Sequence, residues 1–332
     1  MSLTNHTSLN QLNNWSVITV TGPDATEFLQ NQLTNSVKSI KPISTGVAAA
    51  VHSHNRFAGY CSAKGRLMAS FWITRRNIKN ELDEEVPEYQ LLISSDLAQS
   101  LSKRLSMFVL RSKVKVIDQT NHYKVYGLLD QNSSKAALLE KISTAGIVVA
   151  ELPSVQSDGA NYQRYLLTCP LEQEALLQEI NADDRTASIN TWNWLEVQSG
   201  IPRVTQSTFE QFVPQMINME SLKGIDFQKG CYPGQEVVAR SQYRGTIKRR
   251  LHIGHLNTNT EVAIGTEIFH SEDPTQPCGM VVLSAPHPSI NQRIDIQTEC
   301  KLEALETGSV HLGSVDGPAI QFTALPYPLI EI

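Results

Sequence analysis

The 332-residue sequence lacks any long apolar run. No stretch approaches the roughly 20 apolar residues that a membrane-spanning helix needs. The N-terminal residues 1–8 lack the basic start and apolar core of a secretory signal, and they lack the arginines of a mitochondrial presequence. We therefore expect no membrane association and a cytoplasmic location.

Cysteines are few, and none are paired in sequence. The five residues Cys61, Cys169, Cys231, Cys278 and Cys300 form no CxxC motif. This excludes a zinc ribbon and a CxxC dithiol redox centre, and it favours reduced thiols in a cytosolic setting.

Several common catalytic signatures are also missing. The sequence contains no GxGxxG, Walker A or GxSxG pattern, so Rossmann, P-loop and hydrolase functions lose their usual support. His52 and His54 would share one face of a strand, but no nearby carboxylate or thiol completes a metal site. His252 and His255 would point to opposite faces of a strand. We expect no metal site.

Charge is nearly balanced, with 33 acidic and 28 basic residues and a net charge of −5. That balance argues against coating a polyanion, so direct nucleic-acid binding is not expected. A hydrophobic content of 41% suits a globular protein, and the length predicts two or three domains.

Periodicity predicts an α+β protein. Residues 15–20 alternate as in a strand, and Asp24 with Glu27 has the spacing of a capping box at the start of a helix. Residues 77–87 are polar and are expected to form an exposed loop. Further strands are predicted at 46–51, 59–61, 67–73, 89–94, 113–117, 123–129 and 165–167, helices at 96–105, 171–180 and from 190, and a small β-barrel or sandwich after 248.

The segment Lys229-Gly230-Cys231-Tyr232-Pro233-Gly234-Gln235-Glu236 presents a thiol on a turn, because Gly230 and Pro233-Gly234 interrupt regular structure. Lys229 could favour the thiolate of Cys231, and Glu236 could oppose it. The alternative is a buried, inert thiol. Residues 237–240 resemble a strand that leaves the turn.

A second candidate site is the pair Trp192 and Glu196, which are one helical turn apart, with Trp194 between them. A carboxylate beside an aromatic plate suits a flat heterocycle with ring N–H donors, such as a pterin, although a packed Trp with a solvated Glu has the same spacing. A basic segment follows and could contact phosphates or a polyglutamate tail, or simply face solvent. It comprises Arg240, Arg244, Lys248, Arg249 and Arg250.

Residues 219–236, MESLKGIDFQKGCYPGQE, resemble the signature of the YgfZ family. Those folate-binding proteins support iron–sulfur enzymes and tRNA modification, and they are related to the glycine-cleavage aminomethyltransferase. Weaker agreements occur in the expected order at 22–30, 63–66 and 195–202.

The resemblance implies a three-domain fold around a central opening. A discontinuous folate-binding α+β domain would comprise residues 1–47 and 119–240, an inserted α+β domain residues 48–118, and a C-terminal β-barrel residues 241–332. Tetrahydrofolate, or a one-carbon derivative, would occupy the opening.

The resemblance also implies two sets of site residues. Cys231 and Lys229 would carry thiol chemistry. The folate-binding set would be Glu196, Trp194, Trp192, Arg203, Tyr232, Gln235 and Glu236.

The departures from the aminomethyltransferase concern its acidic residues. Its acidic pair falls near Met68 and Ala69 here, and its Arg-Asp falls at Asn190 and Thr191. Without a carboxylate to hold or deprotonate an amine, glycine cleavage is not expected.

The resemblance thus implies a folate-dependent accessory protein for assembly or repair of iron–sulfur clusters, with iron–sulfur client enzymes such as tRNA methylthiolation catalysts as partners. The alternatives are a one-carbon transferase with an unidentified acceptor and, least favoured, an RNA-binding module.

Overall fold

The computed structural model describes residues 8–44, 53–130, 136–183 and 189–330. The predicted strand at 46–51 and His52 lie outside these residues. No helix in the described ranges is long and apolar enough to cross a membrane.

Within the described residues, fifteen strands and six α-helices alternate irregularly along the chain. The strands are β1 (Ser8–Gln11), β2 (Trp15–Thr21), β3 (Asn55–Cys61), β4 (Leu67–Lys79), β5 (Glu85–Ser94), β6 (Lys115–Asp118), β7 (Tyr123–Asp130), β8 (Val148–Ser157), β9 (Ala160–Pro170), β10 (Arg249–Asn257), β11 (Glu267–His270), β12 (Asp273–Pro286), β13 (Arg293–Lys301), β14 (Val310–Leu312) and β15 (Gln321–Thr323). The helices are α1 (Ala25–Gln30), α2 (Ser95–Met107), α3 (Ala136–Thr144), α4 (Glu174–Asp183), α5 (Ile189–Gln198) and α6 (Gln235–Tyr243).

The strands form three antiparallel sheets. The first has the order β3-β4-β5-β2-β6, the second β1-β7-β9-β8, and the third β14-β11-β12-β13-β10-β15. One hydrophobic core joins them, since Ile18 of the first sheet, Leu129 of the second and Val282 of the third belong to the same buried cluster. The fold is therefore a mixed α+β arrangement, as predicted.

The predicted division into domains stays a prediction. Strand β2 belongs to the predicted first domain, yet it lies between β5 and β6, which belong to the predicted insertion. The third sheet takes all its strands from residues after 240.

Two local predictions for the first 120 residues were wrong. Residues 77–87 are not one exposed loop, because β4 extends to Lys79 and β5 begins at Glu85, so that only a short turn separates them. Cross-strand pairing extends a hairpin into polar sequence as long as the register continues. Asp24 stands at the N-cap of α1, but its side chain accepts the backbone N–H of Lys113 at 2.7 Å and not one from the helix.

Helix α5 packs directly on the second sheet, because Gly127 leaves room for Trp192. An added Cβ at Gly127 would lie 2.4–2.7 Å from three carbon atoms of the Trp192 ring. The predicted helix from residue 190 is thereby fixed against β7, and Trp192 is fully buried.

We expect Gly127→Ala to lower the free energy of unfolding by about 1–3 kcal/mol, because the methyl group overlaps the buried Trp192 ring. Gly230→Ala is the matched control, since nothing lies within 4 Å of its added Cβ. Urea unfolding of both variants measures the difference. Equal stabilities would contradict the close packing of α5.

Candidate functional site

A small cavity lies where α5 meets the first two sheets. Its volume is about 20 Å³, which is enough for a single water molecule. Its walls are mostly aromatic and aliphatic, with five polar or charged residues among them. The lining residues are Trp15, Phe57, Ser70, Phe71, Trp72, Leu152, Arg164, Glu196, Ser199, Ile201, Pro202 and Arg203.

Glu196 is the carboxylate of this cavity, and α5 holds it there. Its Oε1 accepts hydrogen bonds from Trp15 Nε1 at 3.2 Å and from Arg203 Nε at 3.4 Å. None of the described residues donates a hydrogen bond to Oε2. One oxygen of a buried carboxylate therefore remains available to a ligand.

Two guanidinium groups compensate the Glu196 charge. Arg203 also donates to Ser94 Oγ at 3.0 Å and lies 5.2 Å from the Trp15 ring centroid. Arg164 on β9 is fully buried and donates to the carbonyls of Leu195 and Pro153. Burial lowers the pKa of Arg164 to about 10, and the Glu196 charge opposes that shift.

The structure separates Glu196 and Arg203 from the two predicted tryptophans. Trp192 packs over Gly127, and Trp194 makes edge contacts with Tyr162 and His287 at centroid distances of 6.2 and 5.0 Å. Neither indole lines the cavity.

Trp15, Trp72 and Arg164 line the cavity and were missed by sequence reasoning. Arg164 had a signal, since it is a charged residue in the predominantly apolar strand β9. Trp15 and Trp72 had none, because aromatic residues are common in buried strands.

The Cys231 segment forms a second group. Residues 230–232 have no regular structure, and Cys231 is exposed, as predicted. Lys229 Nζ donates to the carbonyls of Gln30 and Leu33 and lies 4.8 Å from the Tyr232 ring centroid. These contacts tie the segment to the end of α1.

The residues after the turn form helix α6, so the predicted strand at 237–240 is wrong. Gly234 precedes the helix with φ +79, and an added Cβ would lie 2.3 Å from Ser62 O. The hairpin turn between β3 and β4 therefore packs against the helix start. This contact, which is remote in sequence, fixes the direction of the chain.

Gln235 and Glu236 lie in the first turn of α6, and Glu236 forms an exposed ion pair with Arg240 at 2.7 Å. No hydrogen bond or ion pair among the described residues joins Lys229, Cys231, Tyr232, Gln235 or Glu236 to the Glu196 cavity. The predicted folate-binding residues thus fall into three separate groups, namely Glu196 with Arg203 at the cavity, the two core tryptophans, and the residues of the thiol segment. Their role in binding stays a prediction.

Three cations of the basic segment are already paired. Arg240 pairs with Glu236, Arg249 with Glu299, and the buried Arg250 with Glu220. Arg244 and Lys248 are exposed. The segment as a whole is therefore not one free cationic surface.

The structure describes the four positions at which the resemblance implies lost acidic residues. Met68 and Ala69 are buried in β4, and Asn190 and Thr191 lie in the first turn of α5. Across the described ranges, no three His, Cys, Asp or Glu side chains form a group that could hold a metal ion.

Comparison with known proteins identifies similar chains. The tRNA-modifying protein YgfZ of Yersinia enterocolitica is 30% identical over 270 residues, covering 79% of this chain and 74% of the relative. The protein of the same name from Edwardsiella ictaluri is 29% identical over 277 residues, covering 78% of this chain and 76% of that protein. No protein-family model matches the chain.

A solved structure shares the fold. The glycine cleavage system aminomethyltransferase T from Bartonella henselae aligns with 98% of this chain and 87% of its own, with a TM-score of 0.62 and 16% sequence identity. At that identity the likeness concerns the fold alone, which is aminomethyltransferase-like.

We expect Cys231 to be the one thiol that reacts in the folded protein, because the other four are buried. Titration with a chromogenic disulfide should give one thiol per native chain and five after denaturation. Cys231→Ser should give none and four. More than one fast thiol in the native wild type would contradict the burial of the other cysteines.

Burial lowers the pKa of Lys229 to about 8 from an ordinary 10.5. The unfolded chain therefore keeps this proton to a higher pH than the folded protein. Below pH 8 the buried charge lowers the free energy of unfolding by its full amount, and this destabilisation disappears as the pH rises to 10.5. We expect the stability of the wild type relative to Lys229→Met to rise over that interval.

Urea unfolding at several pH values measures this difference. Lys248→Met serves as the control, because Lys248 is exposed. The same pH dependence in both variants would contradict the assigned shift of Lys229.

Proposed function

The chain belongs to the family of the tRNA-modifying protein YgfZ, and on that basis we propose that it is a tetrahydrofolate-binding accessory protein in tRNA modification. It would act through assembly or repair of iron–sulfur clusters in the enzymes that carry out the modification. Its free thiols suit the cytoplasm, where cysteines stay reduced.

The observation that carries the folate part is the free Oε2 of Glu196 in a mostly apolar cavity. A pterin edge offers adjacent N–H donors, and a carboxylate is the acceptor that such donors prefer. The indoles of Trp15 and Trp72 supply flat apolar walls. The chemistry of the lining therefore fits a pterin.

The size of the cavity sets a condition on binding. A space of about 20 Å³ cannot hold a pterin, so its walls must separate when the ligand enters. Phe57 and Trp72 pack on each other with centroids 5.3 Å apart, without a hydrogen bond between their side chains. Their separation would open the cavity without breaking the Glu196 interactions.

The role of the thiol is a separate part of the proposal. Cys231 is exposed on a turn whose position is fixed by Lys229, so it can meet a partner enzyme without rearrangement of the core. A folate bound at Glu196 would then regulate the protein, while the thiol would react with the iron–sulfur client enzyme.

We expect 5-formyltetrahydrofolate to bind the wild type and Cys231→Ser equally. Glu196→Gln should lower the affinity about tenfold or more, because a charge-assisted hydrogen bond is lost. Isothermal calorimetry measures both, and Glu27→Gln, an exposed carboxylate on α1, is the matched control. Glu236→Gln tests the other predicted group.

The outcomes separate the possibilities. Binding lost in Glu236→Gln and kept in Glu196→Gln would move the folate site to the thiol segment. No binding to the wild type would overturn the folate proposal. Urea unfolding of Glu196→Gln is required beside it, because the variant leaves two buried guanidinium groups without their counter-charge.

Cellular complementation tests the iron–sulfur part. In cells lacking this protein, we expect the wild-type gene to restore methylthiolated tRNA, measured by mass spectrometry, and Cys231→Ser to fail at equal protein abundance. Full restoration by Cys231→Ser would remove the thiol from the function. Steady turnover of a methylene- or formyl-folate by the purified protein would instead support a one-carbon transferase.

A further inference from the structure

A second and larger cleft lies beside the residues that precede Cys231. Its volume is about 470 Å³, within the usual range for small-molecule sites. One wall is formed by residues 225–228, which lead directly into Lys229 and Cys231. The opposite wall comes from the segment after α1 and from Arg56 on β3.

Arg56 is a half-buried cation, and none of the described residues forms an ion pair with it. Its Nη2 donates to Ser39 Oγ at 2.7 Å, and no described residue accepts a hydrogen bond from its buried Nε. Burial lowers the pKa of Arg56, and the charge of Asp226 opposes that shift without forming a direct ion pair. A guanidinium group that is partly removed from water is stabilised by an anion in direct contact, and Arg56 lacks such an anion among the described residues.

Further donors lie around the same cleft. Lys223 is exposed at its edge, and Ser39 can donate its hydroxyl hydrogen to a ligand, because its oxygen already accepts from Arg56. Asn35 is fully engaged, with Nδ2 donating to the carbonyls of Phe57 and Lys223 at 2.8 and 2.6 Å. Asn35 thus fixes the floor of the cleft, and the two cations and the hydroxyl remain available to an oxyanion.

The remaining side of the cleft is aromatic. Phe227 and Tyr243 make an edge contact, with centroids 5.8 Å apart, and Tyr243 is 70% exposed. Large aromatic surfaces of this kind are a platform for a flat ring. Asp226 adds an acceptor, since Gln228 N bonds only its Oδ1.

An anion site, an aromatic platform and a carboxylate acceptor together match one class of ligand. We propose that the cleft binds a nucleoside monophosphate, with the phosphate on Arg56 and Lys223 and the base on Tyr243. Asp226 would accept from an exocyclic amine or ring N–H of the base. A simple phosphate would leave the aromatic side unused, and a neutral nucleoside would leave Arg56 unpaired.

The cleft is distinct from the Glu196 cavity. Arg56 and Phe57 are consecutive on β3, so their side chains point to opposite faces of the sheet. Phe57 lines the cavity and Arg56 lines the cleft. The nucleotide proposal therefore stands independently of the folate proposal.

Calorimetric titration with AMP tests the proposal, with adenosine and inorganic phosphate as its two fragments. We expect AMP to bind at least tenfold more tightly than either fragment. Arg56→Gln and Tyr243→Leu should each weaken AMP binding about tenfold, since one removes the charge-assisted contact and the other the stacking. Arg56→Lys should lose part of the affinity, because it keeps the charge without the planar fork.

Arg111→Gln is the matched control, as an exposed arginine outside the cleft, and it should bind AMP like the wild type. Glu196→Gln should also bind AMP normally, which separates this site from the folate site. Circular dichroism confirms that each variant is folded.

Each of the following results would overturn the proposal. They are AMP binding no tighter than phosphate or adenosine, AMP binding unchanged in folded Arg56→Gln, and no AMP binding at about 1 mM. Binding of a short single-stranded RNA in the absence of AMP binding would also overturn it, because a strand and not a free nucleotide would then be the ligand.

Discussion

The buried carboxylate of Glu196 constrains how the whole molecule assembles. It has lost most of its contact with water, so its charge must be compensated by Arg203, by the Trp15 N–H and by the nearby Arg164. These groups come from β2, from β9 and from the segment after α5. The charge of Glu196 is therefore fully compensated only when the elements that carry all three groups have docked.

The same helical turn is also tied to the third sheet. Gln297 Nε2 on β13 donates to the carbonyls of Glu196 and Val197, both at 3.0 Å, and Gln198 donates to Asp295 at 2.9 Å. Helix α5 therefore contacts all three sheets through polar groups that would be costly to leave unpaired. A polar junction of this kind specifies one arrangement of the sheets, because its hydrogen bonds form only in that arrangement. Hydrophobic contact alone is less specific.

Local sequence predicted the elements well where one face is apolar. The alternation at 15–20 predicted β2, and the Gly-then-Pro ending after residue 199 predicted the end of α5. The Gly and Pro residues around Cys231 predicted its exposed turn. In each case the deciding interaction lies within a few residues along the chain.

Prediction failed where the deciding contact is remote in sequence. Residues 237–240 carry strand-like residues, but the packing of Gly234 against Ser62 and Gly65 directs the chain into α6. Likewise, the helical spacing of Trp192 and Glu196 is visible in the sequence. The close packing of Trp192 against Gly127, which makes Trp192 a core residue, is not. Arg203, the ion-pair partner of Glu196, follows it closely in sequence, but Trp15 and Arg164 lie on β2 and β9, and nothing in a single sequence pairs them with Glu196.

Strand β3 connects the Glu196 cavity with the turn that precedes the thiol segment. Phe57 lines the Glu196 cavity, and its carbonyl accepts from Asn35, whose amide also holds the carbonyl of Lys223. An added Cβ on Gly224 would lie 2.9 Å from the Phe57 ring, so the turn before the thiol segment packs directly on that ring. A ligand that separates the cavity walls therefore displaces a residue already in contact with this turn.

Close-packed interiors transmit such displacements, because they contain little space in which to absorb them. Movement of Phe57 would alter the Asn35 hydrogen bonds and with them the position of Lys223, six residues before Lys229. Cys231 itself need not approach the cavity for the two to be coupled. In the proposed function, the ligand is buried on one face of β3 and the thiol lies beyond the other face. The two are thus connected by contiguous contacts that run through a single strand.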